Sequence, residues 1–264
     1  MFQQRLQEIL QNGYNLDPGK VVSDAFDTVT KKILGISIGF AFIYFLFSMI
    51  VSFTASSVAG INYIEMVDIY INAIQSGNQT QLVQYAETIQ GSSNLSSILQ
   101  LLFGIILVPF SFGYLKVVQK TDKMQPVSFG DLFSVYKNPK IAGLILIFII
   151  IYVLSGIALL MCILPFFYVI SVLSIAPVLY MLEEDLSFGD ALTASFKVGN
   201  KNFWPLLGTQ ILLFLIYGVG YCICGFGALI TGPIFIAGQY FIYKQIFNID
   251  NSFNNEIDNI GNTY

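Results

Sequence analysis

Long apolar stretches separated by short polar segments dominate the chain. The stretch from Ile141 to Leu182 contains no Asp, Glu, Lys, Arg or His, and Pro165 lies near its middle. A helix needs about 20 apolar residues to cross the hydrocarbon core of a bilayer. Because this stretch has about twice that length, it predicts two membrane-spanning helices, 141–164 and 166–182, joined by a tight hairpin.

Similar apolar segments occur before and after this stretch, and Trp204 falls at the level expected for a membrane interface. The pattern predicts an all-α fold, a polytopic membrane helical bundle with six transmembrane helices. The predicted spans are 33–54, 97–117, 141–164, 166–182, 202–224 and 228–247.

Polar segments flank and interrupt the spans. Residues 1–32 carry apolar positions at helical spacing and predict amphipathic helices on the cytoplasmic side. Residues 55–97 form an outer insertion, for which we expect two short helices; the insertion is either a lid on the bundle or a contact site for a protein partner. Residues 248–264 form a polar tail.

Composition limits the chemistry. Of the 264 residues, 55% are hydrophobic and only 11% are charged, against about 25% charged in a typical soluble domain. The chain has no histidine, the commonest general base and metal ligand. Apart from lysines at their ends, the predicted spans carry no Asp, Glu, Lys or Arg, which argues against ion-coupled transport. We therefore predict no catalytic, cofactor-binding or metal-ligating residues, no cofactor and no nucleic-acid partner.

The basic residues predict the orientation. All 12 Lys and Arg fall on one side of a six-span arrangement, whereas the insertion 55–97 has none and carries Glu65, Asp68 and Glu87. The positive-inside rule then places both termini and the polar linkers in the cytoplasm.

A repeated pattern runs through the chain. The sequence Ser-Phe-Gly-Asp occurs at 128–131 and at 187–190, each time before an amphipathic run, a lysine and a two-span hairpin; residues 22–32 fit the same frame. An acidic residue early and a lysine late in a helix both interact favourably with its dipole. The pattern predicts three copies of an interfacial helix followed by a hairpin. The second span of each copy carries a proline, where we expect a kink, and then a tyrosine: Pro109 and Tyr114, Pro177 and Tyr180, Pro233 and Tyr240.

Lysines of the three amphipathic segments are candidate contacts for anionic lipid headgroups. The alternative is that they act only as topology signals. They are Lys31, Lys32, Lys137, Lys140, Lys197 and Lys201.

The three units, the runs FGDLFSVYKN and FGDALTASFKVGNKNFW, and the ending GYCICGFGALITGPIFIAGQY resemble a group of uncharacterised bacterial membrane proteins. This group includes the YciC-like proteins and the membrane domain attached to some glycerophosphodiester phosphodiesterases. The resemblance covers most of residues 15–247. It implies a six-span helical fold in a bacterial inner membrane, and it implies no catalytic residues.

Two functions follow as expectations. The first is a non-enzymatic membrane protein that acts in envelope homeostasis or as an accessory subunit of a membrane complex. The second is a facilitator or carrier for a lipid or another apolar molecule. Cys162 and Cys222 occupy matching places in two copies, either as a disulfide or, more commonly, as small packing residues.

Overall fold

A computed structural model describes residues 2–60, 62–76, 80–222 and 227–247, apart from some side chains between 63 and 93. These residues form α-helices, one π-helical turn and one 3₁₀ helix, and the described ranges contain no strand. In chain order, the first elements are α1 (Phe2–Asn12), α2 (Pro18–Asp27) with a π turn (Thr28–Lys32), α3 (Leu34–Val58), α4 (Tyr63–Ser76) and α5 (Thr80–Asp122). The remaining elements are the 3₁₀ helix (Phe129–Lys137), α6 (Ile141–Met161), α7 (Ile163–Leu173), α8 (Ala176–Leu182), α9 (Phe188–Lys201), α10 (Phe203–Cys222) and α11 (Ala228–Ile246).

Five helical stretches within the described residues are long and apolar enough to cross a membrane: Leu34–Val58, Asn94–Asp122, Ile141–Met161, Ile163–Leu182 and Phe203–Cys222. This finding confirms the all-α prediction and indicates a multi-pass membrane protein. The sixth predicted span corresponds to α11, which has 19 residues but is less apolar than the five. Six spans and the threefold repeat stay predictions.

The helix α5 differs from the expectation for the insertion 55–97. A separate helix is present at α4, but the second predicted short helix continues into the next apolar stretch as one helix of 43 residues. Glycine and serine near residue 91 weaken a helix by about 1 kcal/mol each or less, and no proline interrupts this part. A change from polar to apolar composition therefore does not end the helix.

The hairpin between α6 and α7 turns at Cys162 rather than at Pro165. Cys162 is extended, with φ −177° and ψ 163°, and both flanking residues are helical. Pro165 lies in the first turn of α7, where the missing N–H has no helical partner to lose. The helix breaks again before Pro177, which cannot donate a hydrogen bond to the carbonyl four residues earlier. By contrast, α5 and α11 continue through Pro109 and Pro233.

The chain divides into two compact units, Phe42–Val108 and a larger unit of Met1–Ala41 with Pro109–Tyr264. In the smaller unit, Ser56 and Ser96 join α3 to α5 through hydroxyl oxygens 3.3 Å apart. Ala55 and Ala59 are buried beside this contact. Small side chains of this kind let two apolar helices approach closely.

In the larger unit, three short helical segments pack against apolar helices. The segment α2 with its π turn packs on α11, and α9 packs on α7 and α8. The 3₁₀ helix reaches α5, where Phe133 contacts Phe110 with ring centroids 5.3 Å apart. In each segment, the residue that follows the aspartate of the repeated sequence pattern is fully buried. These residues are Ala25, Leu132 and Ala191. The three segments thus bury matching positions.

Two of these contacts require glycine. A Cβ on Gly113 of α5 would overlap the backbone carbonyl of Leu132 in the 3₁₀ helix. A Cβ on Gly199 of α9 would lie 2.8 Å from the Cα of Val172 and 2.9 Å from its carbonyl oxygen. The backbones of the short segments therefore touch those of their partner helices.

We expect Gly199→Ala to lower the free energy of unfolding by about 1–3 kcal/mol, because α9 must move away from Val172. Gly189→Ala on the same helix is the matched control, since a Cβ there meets nothing within 4 Å. The control should leave stability unchanged or raise it by up to about 1 kcal/mol through helix propensity. Titration with SDS in mixed micelles measures both variants; equal stabilities would contradict the close approach.

Candidate functional site

The beginning of α6 and the ends of α8 and α11 lie at one end of the larger unit. Lys140, just before α6, donates hydrogen bonds to the carbonyls of Tyr180 at 3.1 Å and Glu183 at 2.7 Å. These carbonyls belong to the end of α8, where helix geometry leaves them without intrahelical partners. Burial lowers the pKa of Lys140, and the carboxylates of Glu183, Glu184 and Asp185 oppose that shift. Lys140 thus joins α6 to α8.

A second group of polar contacts joins α11 to α5. The Lys244 ammonium lies 2.8 Å from Asp122, and the Tyr240 hydroxyl donates to the same carboxylate at 2.8 Å. Only 15% of the Lys244 side chain and 14% of the Asp122 side chain are exposed. Since both charges are largely removed from solvent, each needs the other as a partner.

The same end carries two further carboxylate contacts. Glu183 accepts a hydrogen bond from Tyr243 of α11 at 2.6 Å and lies 3.7 Å from the guanidinium of Arg5 in α1. Asp131 of the 3₁₀ helix accepts a hydrogen bond from Lys120 of α5 at 2.6 Å. That bond holds the pKa of Asp131 below its ordinary value. Together with the contacts of Lys140 and Asp122, these form what we call the polar contact layer.

Deeper in the bundle, two amides pair with each other. The side chains of Gln210 in α10 and Gln239 in α11 exchange hydrogen bonds of 3.0 Å in both directions. Gln210 also donates to the Ser174 hydroxyl, between α7 and α8, at 2.9 Å. Polar groups at membrane depth need partners within the protein, and this pair satisfies that need.

The predicted lysine contacts separate into two groups. Three have partners: Lys140 in the polar contact layer, Lys31 at 2.8 Å from Asp27, and Lys201 at 3.3 Å from the Gln11 carbonyl. The other three are exposed and make no hydrogen bond or ion pair with the described residues; they are Lys32, Lys137 and Lys197. One of these three stands near the end of each short segment. Headgroup binding itself stays a prediction.

Cys162 and Cys222 are exposed, and both are free thiols in the described part of the chain. The alternative, that they act as small apolar packing residues, stays a prediction. Cys224 lies outside the described residues. No group of three or more His, Cys, Asp or Glu that could hold a metal ion occurs among the residues that the structure describes.

An open apolar groove of about 350 Å³ lies between α6, α7 and α9. Ile150 and Leu154 of α6, Val169 and Val172 of α7, and Phe196 of α9 contribute to its lining. None of the three prolines predicted to kink the helices lines it. The groove has a size at which small ligands bind to proteins.

Sequence reasoning missed Asp122 and Glu183 of the polar contact layer, and it missed that tyrosines of α11 bond to them. One signal was available: Tyr240, Tyr243 and Lys244 stand at positions i, i+3 and i+4 of one helix, so they share a face. A polar stripe on an apolar helix indicates buried partners. The sequence carries no comparable signal for Asp122 or Glu183, because they follow the apolar stretches like ordinary loop residues.

In comparisons with protein-family models, curated proteins and solved structures, nothing matches this chain.

We expect Asp122→Asn to destabilise the protein by about 2–4 kcal/mol, because Lys244 would keep a largely buried charge without its carboxylate. The matched control is Asp27→Asn, which breaks the exposed pair with Lys31 and should cost no more than about 0.5 kcal/mol. SDS titration of both variants measures the difference. Similar losses for the two variants would show that the polar contact layer contributes no more than a surface ion pair.

Proposed function

We propose that this chain is a non-enzymatic, multi-pass protein of a bacterial cytoplasmic (inner) membrane, with both termini and the polar linkers in the cytoplasm. The five apolar helices support membrane residence. The distribution of basic residues supports the orientation, because the insertion 55–97 has none. The proposed kinship with the YciC-like group and with the phosphodiesterase-attached membrane domains agrees with this placement.

Within the membrane, we assign the chain the role of an accessory subunit of a larger complex or of a protein of envelope homeostasis. The observation that carries this proposal is the wide apolar flank of α6. Its buried residues, Leu144, Ile147, Ser155 and Ala158, form one narrow stripe. The rest of the helix is mostly outward-facing, including Tyr152, which is 61% exposed. Such a surface requires lipid or another apolar helix as its neighbour.

The outer insertion supplies a second surface for a protein partner. Along α4, Ile64, Val67, Ile71 and Ile74 recur at spacings of three and four and are all exposed. These positions share one helix face. The acidic residues Glu65 and Asp68 lie between them, so the surface combines an apolar face with negative charge.

The three short segments of the larger unit suit contact with lipid headgroups. Each carries an exposed lysine and an exposed phenylalanine: Phe26 in α2, Phe133 in the 3₁₀ helix and Phe196 in α9 are 49%, 46% and 50% exposed. A ring in the acyl boundary and an ammonium at the phosphates are typical of interfacial helices. We therefore propose Lys32, Lys137 and Lys197 as the principal headgroup contacts.

The groove between α6, α7 and α9 favours the second candidate function, a facilitator or carrier for a lipid or another apolar molecule. It is open to the surface beside the exposed flank of α6, so an acyl chain could enter it sideways. Its volume of about 350 Å³ corresponds to part of a lipid rather than to a whole one.

The orientation is tested with single cysteines at Gln75 and Gln125 in a background where Cys162, Cys222 and Cys224 are serine. Both glutamines are exposed in the structure. A membrane-impermeant maleimide added to intact spheroplasts should label Gln75→Cys and leave Gln125→Cys unlabelled until the membrane is permeabilised. Labelling of both positions from outside would contradict the six-span orientation.

The partner role is tested by native purification followed by mass spectrometry of the accompanying proteins. A partner that docks on α4 should be lost, by at least fivefold, from the Ile64→Ser/Ile74→Ser variant. The control, Asn72→Ser/Gln75→Ser, changes exposed polar positions of the same helix and should retain the partner. A partner retained equally by both variants would exclude the insertion as its docking site.

A further inference from the structure

The groove between α6, α7 and α9 is built on a rigid contact. Its floor includes Val172, which is fully buried and held under Gly199 of α9 at backbone distance. Ser195 of α9 fixes the same place, because its hydroxyl donates to the Val172 carbonyl at 2.8 Å. The groove is therefore preformed by the packing of α9.

Several polar residues line this apolar groove or stand next to its lining residues along α9. Tyr168 belongs to the lining, and its hydroxyl donates to the Asn200 side chain at 2.6 Å. Lys197 directly follows Phe196 and stands one helical turn beyond Thr193, and both of these residues line the groove. The ammonium of Lys197, the hydroxyl of Tyr168 and the amide of Asn200 thus belong to residues that line the apolar groove or stand near its lining residues in the sequence.

The Lys197 ammonium is available to a ligand. Its side chain is exposed and makes no hydrogen bond or ion pair with any residue that the structure describes. The acidic residue of the same helix, Asp190, lies in its first turn and accepts from the Ser187 hydroxyl at 2.6 Å. A positive charge on α9 next to lining residues of an apolar groove is complementary to an amphipathic anion.

The approach to the groove is also apolar. Leu154, on its rim, is 42% exposed, and its neighbours Val153 and Ile157 are 52% and 53% exposed. On the proposed placement in the membrane this flank of α6 faces lipid. A chain can therefore move from the surrounding bilayer into the groove without crossing a polar barrier.

We propose that this groove binds one acyl chain of an anionic glycerophospholipid, with the lipid phosphate beside Lys197 and the chain over Leu154 and Val169. The inference rests on the proposed membrane placement and gives the groove a ligand class. Asn200 accepts from Tyr168 and donates one amide hydrogen to the Phe196 carbonyl at 2.8 Å, so its second amide hydrogen remains for an ester or phosphate oxygen of the headgroup region.

Native mass spectrometry of the purified full chain tests the acyl-chain part. The probes are phosphatidylglycerol and phosphatidylcholine with identical chains. Thr193→Phe places a ring in the groove and should lower the bound fraction of both lipids at least fivefold. Ser134→Phe, an equally large change at an exposed position of the 3₁₀ helix, should leave both unchanged. Wild-type lipid retention by Thr193→Phe, or equal losses in the two variants, would overturn the proposal.

The headgroup part is tested with Lys197→Gln, compared with Lys123→Gln at another exposed cytoplasmic lysine. One ammonium near the phosphate accounts for about a fivefold preference for the anionic lipid. Lys197→Gln should abolish the preference for phosphatidylglycerol and keep the binding of phosphatidylcholine, whereas Lys123→Gln should keep both. An unchanged preference in Lys197→Gln would overturn the headgroup assignment.

Inorganic phosphate distinguishes the lipid from a free anion. Bound lipid that resists 50-fold molar excess phosphate supports the proposal, and displacement by phosphate overturns it. The cysteine-labelling and co-purification experiments use other residues. If the lipid-binding proposal fails, the results of those two experiments are therefore unaffected. If the proposed orientation is wrong, the cysteine labelling shows it without any lipid measurement.

Discussion

The polar side chains of α11 impose the main constraint on this structure. Gln239, Tyr240, Tyr243 and Lys244 enter an apolar bundle, where hydrogen-bonding groups without partners cost several kcal/mol each. Their partners lie on three neighbours: Gln239 pairs with Gln210 of α10, Tyr240 and Lys244 share Asp122 of α5, and Tyr243 bonds to Glu183 after α8. These bonds specify which helices surround α11 and which way each one faces. The same polar residues make α11 less apolar than the five candidate spans.

The three short helical segments are subject to a related constraint. Each must present one face to a partner helix and another to the exterior, within only a few turns. Small or branched residues at the buried positions, such as Ala25, Leu132 and Ala191, allow close packing. Gly113 and Gly199 bring the backbones together, so the segments lie close against their partners. Phenylalanine and lysine remain on the outer face.

The sequence predicts the elements of this fold better than their connections. Apolar length alone identifies the helices at 141–182, because few soluble structures use so many uncharged residues in a row. The sequence does not predict the turn at Cys162. Proline is favourable in the first turn of a helix, so Pro165 marks the start of α7 rather than the hairpin itself. The sequence also does not predict that α5 is one continuous helix, because serine and glycine weaken a helix without ending it.

The candidate site is less predictable for a different reason. Lys140 could be named from its position after the amphipathic segment, yet its partners, the carbonyls near Tyr180, lie about 40 residues further along the chain. The groove requires three elements to meet, and no local pattern specifies that meeting. Lys197 was recognisable as a headgroup contact from the sequence, but its position beside the groove emerges only once α9 is placed on α7.

The contact between α2 and α11 joins an early segment of the chain to a late one. During synthesis α2 leaves the ribosome long before α11 exists, so Val21 and Ala25, which are fully buried in the folded protein, have no partner surface for most of translation. An amphipathic segment in that situation has a temporary alternative, which is to rest on the membrane surface. The membrane surface would then hold the first helices temporarily, and completion of the bundle would move them from lipid onto protein. Assembly in this order makes the integrity of the late helices a condition for burial of the early ones.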